Sequence, residues 1–117
     1  MSALREPLTA RQLREAHCSH ATAADRLDGA ELARQGAATP QWQVVDGKLE
    51  RTFEFADFQR TMAFVNQVAG VANAEDHHPQ MVLEYSRCTV RFDTHSAGGI
   101  TRNDFICAAR IDALPAG

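Results

Sequence analysis

Residues 42–55, WQVVDGKLERTFEF, decide the fold. Asp46-Gly47 stands between two stretches of strand-forming residues, and a tight two-residue turn wants positive φ at both central positions. Asp and Gly tolerate that conformation. Beyond the turn, Leu49, Phe53 and Phe55 fall on one strand face, with Glu50, Thr52 and Glu54 on the other. The stretch therefore reads as a β-hairpin with one face to bury.

From Asp57 the period changes. Asp57 suits an N-cap, and Phe58, Met62, Val65, Ala69 and Ala72 recur at three- and four-residue spacing. This pattern predicts a long helix over 58–75, lying across a sheet because a broad apolar stripe needs a flat partner. Pro79 ends anything helical. MVLEY (81–85) and RCTVRFDTH (87–95) then read as two strands, with Cys88, Val90 and Phe92 alternating against Thr89, Arg91 and Asp93. SAGG is a loop, and TRNDFICAARIDAL (101–114) is a closing helix in which Thr101 and Asp104 have capping-box spacing.

Upstream, LDGAELARQG (27–36) reads as a short helix. Asp28 and Glu31 have capping-box spacing, Leu32 and Ala33 give a small apolar face, and Gly36 suits a left-handed stop. Trp42 is expected to anchor that helix. The order α-β-β-α-β-β-α, with no long crossover, predicts an α+β fold: a four-stranded antiparallel sheet with helices packed on one face. Residues 1–24 stand apart. TARQ (9–12) is a possible capping box, but Leu13 and Ala16 are the only apolar stripe behind it. The segment reads as a loosely attached N-terminal extension to a domain spanning 25–117.

The chain has 117 residues, 44% of them hydrophobic, enough for a core without a staple of disulfides or metal. Its formal charge is −3 and its twelve basic residues are scattered, which argues against nucleic-acid binding through a basic face. The N-terminal stretch lacks the apolar run of a secretory signal, and no later stretch reaches membrane-spanning length. Cys18, Cys88 and Cys107 have neither metal nor redox spacing. The expectation is a cytoplasmic protein with reduced thiols and no membrane contact.

Chemistry points to the histidines: His17, His20, His77, His78 and His95. His77-His78 follow the long helix and His95 ends the fourth strand, so all three fall at element ends, where a cleft forms. A zinc site with an open position is one reading. Adjacent side chains diverge on helix or strand, however, and no His-x-x-x-His or Cys-x-x-Cys supports it. A plain reading makes His77 and His78 cations at a helix C-terminus. An acid–base reading uses the ordinary imidazole pKa near 6.5, which lets one ring give a proton while another takes one. Asp104 is explained by capping alone, or as an acceptor that orients an imidazole. No Gly-x-Ser-x-Gly elbow is present, and Gly98-Gly99 is too short for a phosphate cradle.

The stretch from about Leu27 to Leu114 resembles the pterin-4a-carbinolamine dehydratases. The resemblance rests on His77-His78-Pro79, Tyr85, His95 and Asp104 in order and spacing, with the frames LERTFEFADF, THSAGGIT and DFICAARID. It implies dehydration of a 4a-hydroxytetrahydropterin to the quinonoid dihydropterin, with no metal and no organic cofactor. His77 and His95 would be acid and base, in an unassigned order. His78 would hold substrate, Thr94 would offer hydrogen bonds to the pterin edge, and Asp104 would orient an imidazole. Two positions depart from the family pattern: Asn73, where a charged residue is usual, and Gln80, where an acid is common. His17 and His20 match nothing in it. Family members can also serve as protein-partner or transcription-coactivating subunits, so a pterin-binding or partner-binding module is the alternative. A metal-dependent hydrolase on His77, His78 and His95 is a further one. An exposed sheet edge would build a homo-oligomer, dimer or tetramer.

Overall fold

The computed structural model describes residues 5–115. The first four residues of the expected extension and the last two of the expected domain lie outside that range. The described residues form four α-helices: α1 (Ala10–Glu15), α2 (Ala30–Gly36), α3 (Phe58–Glu75) and α4 (Arg102–Asp112). Four strands, β1 (Gln43–Val45), β2 (Lys48–Glu54), β3 (Gln80–Leu83) and β4 (Arg87–Phe92), form one antiparallel sheet in the order β1-β2-β4-β3. The α+β expectation is met.

The hairpin forms as its sequence dictates, with φ of 51° at Asp46 and 75° at Gly47. Leu49 and Phe53 of β2 meet Phe92 and Cys88 of β4 across the ladder, and all four are buried. The other face carries polar cross-strand pairs. Thr52 and Thr89 share a hydrogen bond of 2.8 Å, and the Arg91 guanidinium donates to Glu50. One greasy and one polar face force α3 and α4 onto the same side.

Helix α3 has the predicted limits. Asp57 accepts the Arg60 N–H at 2.8 Å, and Asp76 ends the helix in the left-handed region. Its buried face is nonetheless turned from the expected one, comprising Thr61, Phe64, Val68, Ala72 and Glu75. Phe64 decides this by packing its ring 4.5 Å from that of Phe53 and 5.1 Å from that of Phe55. Phe58, first of the expected stripe, is exposed and stacks on Tyr85.

Three local expectations need correction. Helix α2 is capped by Gly29 rather than Asp28, and Gly36 lies inside it without a left-handed stop. Trp42 serves the sheet and α4. It packs against Phe53 and Phe92 and donates to Asp112 of α4 at 2.8 Å. Nor is the N-terminal segment loosely attached. The Thr9–Gln12 capping box forms, and Leu13 is fully buried in the main core against α4. Gln35 clamps the Leu8 backbone, accepting its N–H and donating to its carbonyl, both at 2.9 Å. One leucine is a thin stripe, but polar tethers to distant elements hold the segment down.

Candidate active site

The site begins where α3 stops. Asp76 adopts φ 49°, ψ 44°, and the left-handed residue swings the chain so that His77 and His78 part company. The His77 ring turns inward and lies parallel to Phe92, centroids 5.7 Å apart. Its Nε2 sits 2.6 Å from Oδ1 of Asp104. His78 stays exposed, with Nε2 3.1 Å from Oδ1 of Asn73.

Asp104 is fully buried at the third position of α4. A buried carboxylate is costly unless its lone pairs are filled, and here they are. Oδ2 accepts the Thr101 N–H at 2.8 Å and the Thr94 hydroxyl at 2.9 Å, leaving Oδ1 to His77. Capping and imidazole orientation therefore coexist, one oxygen each. The Thr101 hydroxyl, 2.8 Å from that of Thr94 and accepting from the Asn103 N–H, completes the chain. The hydroxyl of Thr94 is thus engaged inward, and its N–H and carbonyl pair with Gly99.

His95 follows Thr94 and opens a 3-10 turn over 95–97 that closes on Gly98, at φ 74°. Its ring is exposed and makes no hydrogen bond among the described residues. The structure thus brings His77, Thr94 and Asp104 into one hydrogen-bonded unit. His95 sits beside that unit through the chain, and His78 is turned toward Asn73. Among the described residues no three His, Cys, Asp or Glu side chains form a metal-donor set.

A cavity of about 310 Å³ opens beside His77 and Thr94. Part of its wall comes from the N-terminal segment, through Cys18, Ser19, His20 and Ala21. Sequence reading did not anticipate this wall, because the stretch has neither helical nor strand period. The only signal was the density of chemistry-bearing side chains in AHCSH. Glu75 anchors it, accepting the Cys18 N–H at 2.7 Å and facing the His17 ring at 3.0 Å. Burial alone would raise the Glu75 pKa, but the Cys18 N–H, His17 and Arg110 together hold it below the ordinary carboxylate value. Cys18 and Cys107 lie in sulfur contact at 3.7 Å. That hydrogen bond and burial push the Cys107 thiol far above its ordinary range, so it is no thiolate nucleophile.

A curated protein of Chromobacterium violaceum named "Putative pterin-4-alpha-carbinolamine dehydratase" is 55% identical over 75 residues, covering 64% of this chain and 69% of that protein. One of the same name from Xanthomonas campestris pv. campestris is 44% identical over 105 residues, covering 87% and 89%. A solved transcriptional coactivator/pterin dehydratase from Brucella melitensis superposes with a TM-score of 0.73 at 36% identity, covering 79% of this chain and 99% of that one. A pterin dehydratase-like protein identified as a RuBisCO assembly factor in the alpha-carboxysome superposes at 0.51 with 25% identity, covering 62% and 83%. The family model described as pterin 4 alpha carbinolamine dehydratase matches residues 25–114, and the chain belongs to that family.

Proposed function

We propose that the protein is a 4a-hydroxytetrahydropterin dehydratase that works by histidine acid–base catalysis, in the cytoplasm and without a resident cofactor. The observation that carries this reading is the His77–Asp104 pair at 2.6 Å on the edge of a cavity. Asp104 fixes the ring and occupies Nε2, leaving Nδ1 of His77 for chemistry. In the reaction the N5 proton leaves, the N5 electron pair forms the double bond to C4a, and the C4a hydroxyl departs as water after taking a proton. One imidazole receives the first proton and another delivers the second. His77 and His95 carry these two roles, His78 holds substrate, and Thr94 lines the pocket while fixing Asp104.

A positioned acid or base contributes about 10²–10⁴-fold in rate. Stopped-flow absorbance of freshly generated 4a-hydroxytetrahydropterin is the test. Wild type should accelerate dehydration, and His77→Ala and His95→Ala should each lose at least about 10²-fold. Near-normal rates in both variants would sink the proposal.

The second reading, a partner-binding module, draws on the exposed apolar side chains Phe58, Val82, Leu83 and Tyr85 around edge strand β3. The same edge supports homo-oligomerisation by strand pairing. No helix of the described residues is long and apolar enough to cross a membrane.

A further inference from the structure

We infer that His17–Ala21 form a strap that completes the substrate pocket, and that His20 on it positions the substituent at C6 of the pterin. The inference rests on the dehydratase reading. It lies outside the stretch matched by the family model, which begins at residue 25.

The strap is built in, not draped. Glu75 takes the Cys18 N–H at 2.7 Å. Asn103 of α4 is bidentate to Ser19, accepting its N–H at 3.1 Å and donating to its carbonyl at 2.7 Å. Ser96, next to His95, donates to the Ala21 carbonyl at 2.6 Å. The anchors therefore come from the end of α3, the start of α4 and the turn carrying His95, the three elements that hold the catalytic side chains. These bonds engage the backbone of Cys18, Ser19 and Ala21. The His20 imidazole and the Ser19 hydroxyl make no hydrogen bond among the described residues, and both side chains line the cavity that contains His77.

Substrate chemistry says what they meet. C4a and N5 must come to His77, and C6 is bonded to N5, so its substituent leaves the ring beside the reacting bond. The amino-bearing edge of the pyrimidine ring lies at the other end of the bicycle. The cavity beside the reacting bond, which Ser19 and His20 help to line, is then the space that meets the C6 substituent. An imidazole and a hydroxyl there suit a substituent bearing hydroxyl groups better than a methyl group.

The test compares a 6-(dihydroxypropyl) substrate with a 6-methyl substrate in wild type, His20→Ala, His20→Gln and Ser19→Trp. Losing one hydrogen bond should raise KM for the hydroxylated substrate about two- to tenfold in His20→Ala. Its kcat and the 6-methyl KM should stay unchanged, and His20→Gln should recover part of the loss. Ser19→Trp, at an exposed position, should raise KM for both substrates without lowering the melting temperature. Unchanged KM values in His20→Ala and Ser19→Trp, or an equal fall in kcat for both substrates, overturn the strap while leaving the dehydratase standing. If wild type turns over neither substrate, the dehydratase reading fails. Calorimetric binding of a stable dihydropterin then decides the strap: weaker binding by Ser19→Trp than by wild type supports it, and equal binding or none overturns it.

Discussion

Asp104→Asn isolates the proposed catalytic pairing from the fold. Asp104 Oδ2 serves Thr94 and Thr101, while Oδ1 lies 2.6 Å from Nε2 of His77. An asparagine keeps its amide oxygen for the two donors, and its NH₂ then faces His77. A donor opposite Nε2 forces that nitrogen to accept, which moves the ring proton to Nδ1, the atom needed for chemistry. Neutral His77 can no longer act as a base there, and its imidazolium loses its carboxylate partner. The same substitution behind a catalytic histidine of serine proteases costs about 10⁴ through the wrong tautomer. The expectation here is a kcat loss of at least about 10²-fold. The fold should suffer little: the cap oxygen survives, and the lost charge at the helix start is worth about 0.3–1 kcal/mol. Asp104→Ala differs, since it strands two buried donors at about 1–3 kcal/mol each. Stopped-flow dehydration and thermal melts on both variants read the two effects separately. An Asp104→Asn enzyme within threefold of wild-type kcat would refute the claim that the carboxylate sets the His77 tautomer.

Two further outcomes follow from other parts of the structure. Glu75 has its pKa held below the ordinary 4.5, so it binds fewer protons folded than unfolded and stabilises the protein above that value. Wild type should out-melt Glu75→Gln at neutral pH, and the gap should close as pH falls through 4.5 toward the lowered folded value; a gap independent of pH would refute the strap anchor. Where wild type scatters as more than one chain, Val82→Lys, which puts a charge on the exposed edge strand β3, should lower that mass toward one chain. A mass unchanged by the lysine, or a wild type already monomeric, would exclude pairing at that edge.

What the sequence discloses tracks how local each determinant is. Asp46-Gly47 fixes the hairpin within two residues, and Asp57 and Pro79 bracket α3 without help from elsewhere. The face of α3 is another matter. Its buried polar residues find partners far along the chain: Thr61 donates to the Tyr85 carbonyl at 3.0 Å, and Glu75 receives the Cys18 N–H. Periodicity counts apolar side chains and cannot register a buried threonine or glutamate that is satisfied at long range. The strap failed to announce itself for the same reason, since hydrogen bonds rather than an apolar stripe hold it in place.

The His77–Asp104 pair was half legible. The Thr101–Asp104 spacing announces a cap, and the cap brings the carboxylate to a fixed place at the start of α4. What the spacing cannot show is that only one carboxylate oxygen is used for capping. The other is free for His77 because the Thr94 hydroxyl joins Thr101 on Oδ2. Helix closure and imidazole orientation are therefore one structural event. Phe105, Cys107 and Ala108 are fully buried behind Asp104 and pack α4 into the core, and a group carried by a packed helix is held more closely than one on a loop. It follows that substitutions loosening the first turn of α4 should lower turnover before they lower the melting temperature in proportion. A productive pairing must be held within about 0.5 Å.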